Sequence, residues 1–502
     1  MKIDLNKNNP KDWYFASQRQ RVSPFPNYMS METVMTDMEK HVGYNVSDIL
    51  YFTVGNVITI FTKMADREKI GHGLTRDIKN NINIVSRLVK EQHTHGRKLV
   101  KFACLANKEV KGKVSNKQLY NLYKQFEKYY KEVYSRYGWI WMVEDYYMAE
   151  MLRLVEGKLA NKKEAVDITN HLTAEPSAMV ALMERKALLD LGLNITRNQA
   201  WRELVVKHNY DEVSRQPELR RLIIKHVNKY FWVTRDYEDP IIDANKVVER
   251  LAGYFASDIK TEHDNLIKEL KENENKRKKY LKELRFTAEE KQWLEAMREM
   301  AYLKELRKRY VSESLHYFDD ILKEIGKRLL LSLRQVRFMR TSDVWRALIK
   351  GEDLTDELNE RIKISLWTFK KGVAVPITGA LAQKLYDKFC QVKKDSTEFA
   401  GMPVSSGVAK GPIKIVMDPS ECDRVEKGDI ILSIQVVPSF STAIMKAAGL
   451  ICDGGHGVTT HPATLAREAG IPCVIQTRFA KEVLKDGDMV EVDGYKGIVR
   501  KI

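Results

Sequence analysis

The stretch 451-ICDGGHGVTTHPATLAREAGIPCVI-475 puts two of the chain's 11 histidines, His456 and His461, into a loop rich in glycine and threonine. Pro462 suits the first turn of a helix, because the N–H it lacks would be unbonded there. The spacing predicts a helix over 462–470, closed by Gly470, with His461 at its cap. An anion on that imidazole would face free backbone N–H groups and the positive end of the helix dipole. Thr459 and Thr460 would add hydroxyl donors, and Gly454, Gly455 and Gly457 would let backbone approach a ligand closely. A neutral imidazole is a competent nucleophile near physiological pH. The chemistry on offer is a transient phosphohistidine at His461, with His456 beside it and Arg467 reaching back as a phosphate clamp. The ordinary alternatives are a helix-capping His461, a space-filling His456, and an Arg467 that holds the helix by pairing with an acid. The His-x4-His spacing also raises the question of a metal. With only Cys452 and Asp453 as further ligands nearby, no metal site is expected.

The elements that must position this loop come from two parts of the chain with different grammar. Over 30–390 apolar residues recur at helical spacing, as in 179-MVALMERKALLDLGL-193 and 219-LRRLIIKHVNKYFWV-233. The charged, nearly breaker-free segment 264–333 predicts two or three long helices. The polar stretch 391–399 reads as a linker. Beyond it come short β-branched runs at 413–417, 429–434, 472–477, 489–493 and 497–502, and helices are predicted over 439–449 and 462–470. The fold class expected is multidomain: a large, mostly α-helical N-terminal region (1–390), a linker (391–399) and a small α/β domain (400–502).

Composition narrows the function classes. The chain has 502 residues and 44% hydrophobic content, enough for more than one core. No charge-free apolar run reaches membrane-spanning length; 49–61 comes nearest and is too short. The first residues, MKIDLNKNNPKDW, hold no apolar signal core. Five scattered cysteines without C-x-x-C spacing argue against zinc or a disulfide framework and for a reducing, cytoplasmic setting. The net charge is +16, from 84 Lys and Arg against 68 Asp and Glu. The residues from Glu398 onward hold 12 basic against 13 acidic side chains, so the excess lies on the first 397 residues. That asymmetry suits an anionic partner, although most such charges serve as a solvated helical surface.

Residues 400–502 resemble the mobile, phosphohistidine-bearing domain of the phosphoenolpyruvate-utilising enzymes. The resemblance is carried by 405-SSGVAKG-411, 428-GDIILS-433, 456-HGVTTHPATLAREAGIP-472 and 486-DGDMVEVDGYKGIV-499, all in register with the family's motifs. It implies that His461 carries the phosphoryl group, with Thr460 in the family's Ser position and Arg467-Glu468 in its Arg-Glu. His456 replaces a glycine, and Gln476 stands where glycine is usual. In this family the histidine domain swings between an ATP-grasp module and a second site. Residues 1–390 show neither a (β/α)₈ pattern nor a Gly-rich phosphate loop in a strand-rich setting. The layout is most similar to that of the rifampicin phosphotransferases, with a helical acceptor-binding region before the histidine domain. The similarity of 290–348 to that region nominates Arg298, Lys304 and Arg307 as anion contacts. Their spacing does not place all three on one helix face, and plain surface charge is the alternative. His93 and His95 read as solvated or capping residues near a helix end.

The expected function is that of a phosphotransferase subunit. It would carry a phosphoryl group on His461 between a nucleotide site on a separate ATP-grasp partner and a small-molecule acceptor at the helical region. ATP and Mg²⁺ would belong to the partner, with no cofactor bound tightly here; neither membrane nor nucleic acid is expected as a partner. The rival is a non-catalytic binding or scaffold protein with a degenerate mobile domain and a basic helical surface.

Overall fold

The structure, a computed structural model, describes residues 9–174, 180–208, 210–235, 237–390, 396–437, 440–455 and 460–502. The chain has a large, mostly helical N-terminal region followed by a small α/β region, as its grammar predicts. It divides into two compact units that do not follow chain order. One comprises Met1–Asp77, Thr94–Tyr146 and Tyr317–Ile502; the other comprises Ile78–His93 and Tyr147–His316.

The first unit holds a five-stranded antiparallel sheet that helical periodicity did not anticipate. Its strands are β1 (Trp13–Gln20), β2 (Ile49–Val54), β3 (Val57–Lys63), β4 (Ile364–Lys370) and β5 (Val373–Thr378), in the order β1-β3-β2-β4-β5. The sequences ILYFTV and VITIFTK are β-branched and aromatic, which suits a pleated surface. Both are buried along nearly their whole length, so apolar and polar residues do not alternate and the strand period disappears. One face packs Trp13, Phe15, Phe52 and Phe61 against Leu385 and Phe389 of the helix Gly379–Phe389. On the other, Trp367 stacks on Tyr28 at 5.9 Å.

The same unit contains an eight-stranded sheet near the C-terminus. Its strands are β6 (Glu398–Ala400), β7 (Met402–Ser405), β8 (Val408–Ile415), β9 (Ile430–Ser433), β10 (Gly449–Cys452), β11 (Cys473–Ile475), β12 (Met489–Asp493) and β13 (Ile498–Lys501). The order is β6-β13-β12-β8-β9-β10-β11-β7. The run β8-β9-β10-β11 is parallel and the flanking pairs are antiparallel. Apolar clusters cover both faces: one includes Val404, Ile431, Leu450, Ala463 and Ala466, the other Ile430, Ile451, Val474, Val490 and Val499. The helix expected over 439–449 is a single turn, Ser441–Ile444, and Gly449 opens β10. A parallel strand buried on both faces has no polar side to show, which is why no strand was expected over Leu450, Ile451 and Cys452. Glu398 and Phe399, inside the stretch read as linker, pair with Arg500 and Val499 of β13.

In the second unit the helices Val180–Ile195, Pro217–Tyr230 and Ala244–Ala256 meet on a buried carboxylate. Glu184 pairs with His226 Nε2 at 2.8 Å and accepts two bonds from Arg250, each at 2.8 Å. The segment 264–333 is mostly two long helices, Ile259–Glu283 and Ala288–Leu329.

Candidate functional site

The histidine loop sits where a parallel strand hands over to a helix. β10 ends at Cys452, the chain turns through Asp453, Gly454 and Gly455, and the helix His461–Glu468 begins after Thr460. His456, Gly457 and Thr459 lie outside the described residues. Thr460, not His461, is the N-cap: it has extended φ/ψ of −76° and 159°, and its carbonyl accepts the Thr464 N–H at 2.9 Å. The Thr460 hydroxyl does not cap the helix. His461 is the first helical residue and is half-buried, and Pro462 follows it within the first turn. Moving His461 one residue inward leaves the electrostatic argument intact, since first-turn N–H groups lack intrahelical acceptors in any case. The other end of the helix closes as its sequence predicts. Gly470 takes φ +67°, its N–H reaches Arg467 O at 3.1 Å, and the Ile471 N–H reaches Ala466 O at 3.0 Å. Those two bonds make a Schellman closure.

Asp453 anchors the turn. It is 1% exposed and accepts from Thr477 Oγ1 at 2.7 Å, Ala480 N at 2.8 Å and Lys481 N at 2.9 Å. Burial pushes its carboxyl up to about 6, against the pull of those three bonds. Sequence reasoning weighed Asp453 only as a metal ligand. Its partners lie in the turn after β11 and at the start of the helix Ala480–Val483, which no local pattern announces. Its neighbour Cys452 gives its thiol to Ile434 O at 3.3 Å, and burial pushes that thiol up to about 12.

Gln476 holds the glycine pair from the other side. Its N–H donates to Gly454 O at 3.2 Å and its Nε2 to Gly455 O at 3.1 Å. Its φ is +58°, the left-handed region that favours glycine and accounts for glycine being usual there. Gln476 is also hydrogen-bonded to Tyr14 of β1, a contact without any sequence signal. The Arg67 guanidinium lies 3.8 Å over the Tyr14 ring and pairs with Asp145. Burial pushes the Tyr14 hydroxyl up, and Arg67 pulls it back.

Arg467 donates Nη1 to Val404 O at 3.0 Å, tying the helix to β7. It lies six residues beyond His461, about 9 Å along the axis at 1.5 Å per residue. In the second unit, Arg298 is bound to Glu295 by two contacts of 3.0 Å and to Ala174 O at 2.9 Å. Arg307 is buried at 9% exposure rather than displayed as surface charge, and Lys304 is half-buried. His93 and His95 fall in the middle of the helix Asn83–Val110, not at its end. His93 pairs with Tyr310 at 2.8 Å and His95 with Glu132 at 3.0 Å.

Comparison with known proteins falls on the same stretch of the chain. Residues 425–497 match the family model for the PEP-utilising enzyme, mobile domain. The chain is 40% identical over 109 residues to a probable phosphoenolpyruvate synthase of Methanothermobacter thermautotrophicus, covering 22% of this chain and 16% of that protein. It is 36% identical over 126 residues to the phosphoenolpyruvate synthase of Pyrococcus furiosus, covering 25% and 15%. An uncharacterized phosphotransferase of Bacillus subtilis is 39% identical over 105 residues, covering 21% and 12%. The matched stretch is thus a minor part of this chain and of each relative. Residues 425–497 carry the mobile domain of the PEP-utilising enzymes.

Proposed function

We propose that this chain is a phosphotransferase component that carries a phosphoryl group on His461. The observation that supports it most is the placement of His461: a half-buried imidazole in the first helical turn, behind a glycine turn, within a domain matched to a phosphotransfer family. A neutral ring nitrogen would attack a phosphorus of the donor, and the P–O bond to the leaving group would break. An acceptor oxygen would then attack the same phosphorus, break the P–N bond and give up its proton. Phosphoryl transfer asks mainly for positioning and neutralised charge, and first-turn N–H groups offer both.

The donor on this reading is ATP with Mg²⁺, bound by a separate ATP-grasp partner. The acceptor is a small molecule taken up by the N-terminal region 1–390, ahead of the mobile domain 400–502. The setting is cytoplasmic; among the described residues no helix is long and apolar enough to cross a membrane. The test is to incubate the chain with ATP radiolabelled in all three phosphates and extract of its own cells, beside His461→Ala. Alkali-stable, acid-labile label that is absent from the variant is the expected result. No such label, or equal label in the variant, refutes the carrier role.

A further inference from the structure

We infer that the helix pair 94–110 and 116–135 is a nucleic-acid-binding face, which holds the phosphate backbone of a duplex on two side-by-side stripes of cations. Its chemistry does not depend on the phosphohistidine reading.

Residues 97–128 hold nine Lys and Arg against two acids. One of the two acids, Glu127, is taken by Lys131 at 2.6 Å. From Thr94 onward the helix Asn83–Val110 belongs to the first unit, and the helix Asn116–Ser135 follows it there. Phe102 meets Tyr129 at 5.2 Å and His95 pairs with Glu132 at 3.0 Å, so the two helices lie side by side and antiparallel. Both also pack on 317–320, within the same unit: Asn107 donates to Tyr317 O at 2.8 Å, and Phe126 stacks on Phe318 at 3.9 Å. Leu99, Ala103 and Ala106 are buried on the first helix, and Leu119, Phe126 and Tyr130 on the second. At 3.6 residues per turn, Arg97, Lys101 and Lys108 fall within about 40° of one another on the opposite side of the first helix, and Lys117, Lys124 and Lys128 do so on the second. All six are exposed. Because the two buried sides face one stretch of chain, the two stripes face solvent together, each about 16 Å long at 1.5 Å per residue.

None of the six side chains has an ion pair or hydrogen bond among the described residues. Other helix segments answer their cations with acids four residues away, as in Arg87–Glu91, Arg309–Glu313 and Arg328–Glu324. Here the residue four along is another cation, Lys101 after Arg97 and Lys128 after Lys124, an arrangement that costs helix stability. An anion from outside the chain offsets that cost. Protein interfaces are poor in lysine and carry aromatic anchors at their centre. Five of the six cations are lysines, and Leu105 is the one large apolar side chain exposed on the pair among the described residues. A single leucine is also too little to seat a helix in a membrane surface. Charge without apolar anchors suits a phosphate backbone, which lysine and arginine bind without reading sequence. With no exposed ring among the described residues of the pair, nothing offers single-stranded bases a stacking platform, and a duplex is the better fit. No nucleic-acid motif announces this in the sequence; the helices bring the charges together.

The test is fluorescence anisotropy of the full chain with an end-labelled DNA duplex of about 30 base pairs, from about 50 to about 200 mM KCl. With all six cations on phosphates, log K should fall against log salt with a slope of about −5, roughly a thousandfold loss across that range. A variant carrying Arg97→Gln, Lys101→Gln, Lys124→Gln and Lys128→Gln together should lose about 3 to 4 units of that slope. Glutamine is a good helix former and all four sites are exposed, so helix content by circular dichroism should hold. A control carrying Lys271→Gln, Lys276→Gln, Lys282→Gln and Lys291→Gln removes the same charge from exposed sites of the second unit and should keep the wild-type slope. Absence of duplex binding by the wild type overturns the proposal without any variant. A slope unchanged in the first variant, or equally reduced in the control, overturns it as well. Binding of polyglutamate or of phosphatidylserine vesicles in place of the duplex also overturns it, and gives the face to an acidic protein or a membrane.

Discussion

Replacing Asp453 with asparagine should abolish a gain in stability that the wild type shows on mild acidification. The carboxylate Oδ1 accepts from Thr477 and Ala480, and Oδ2 accepts from Lys481. Asparagine keeps the first oxygen but turns an NH₂ toward the Lys481 N–H, donor against donor, at a cost of about 1–3 kcal/mol. The substitution also removes a buried charge. Folding raises the Asp453 carboxyl from 3.8 to about 6. A raised acid contributes stability that is fully present below its unfolded value and lost as the pH climbs through its folded one. Here the window runs from about pH 4 to about pH 6, and two units correspond to about 3 kcal/mol at 1.36 per unit. At pH 7 the two asparagine effects oppose each other, and the variant should sit near the wild type. At pH 4 the relief is gone and the wild type should lead by up to about 3 kcal/mol more than at pH 7. Urea unfolding of both proteins, followed by circular dichroism from pH 4 to pH 7, measures this. Other titrating groups cancel in the difference between the two curves. A difference that is flat across the window, or that widens toward pH 7, would refute the reasoning.

Asp343 should behave in the opposite way. Burial pushes its carboxyl up, but Arg340 and Arg361 outweigh that and hold it well below the usual carboxylate range. Its contribution is present above about pH 4 and lost as the pH falls below it. Asp343→Ala leaves Arg361, 1% exposed, without that partner, and should cost about 3–5 kcal/mol in chemical denaturation at pH 7. Gly470→Ala should cost about 1 kcal/mol in thermal unfolding, because the residue holds φ +67°, while acid-labile labelling of His461 survives. Cys452 and Cys473 should resist a thiol reagent at pH 8 in the native chain and react fully in urea. Both are buried, and burial pushes both thiols well above their ordinary value.

Sequence by itself determined the elements whose cause is local. Pro462 in a first turn and Gly470 in the left-handed region bracket a helix through rules of capping, and the helix is there within a residue at its start. Strands β8, β9, β12 and β13 were legible because turn glycines such as Gly428 and Gly487 punctuate short β-branched runs. The residues around His461 carried the resemblance to the mobile domain of the PEP-utilising enzymes, which the family model matches over 425–497. What tertiary structure decided are contacts between distant residues and strands without a polar face. β2 meets β4 across 312 residues, where Thr53 and Ser365 share a hydrogen bond, and no window along the chain contains both. β10 hides between two parallel neighbours, so its burial erased the period that would have named it. Asp453 finds its donors 24 to 28 residues away, and Gln476 finds Tyr14 on a strand from the other end of the chain. Local rules govern how a segment folds against itself; which segments then press upon the histidine loop is settled only when burial brings them together.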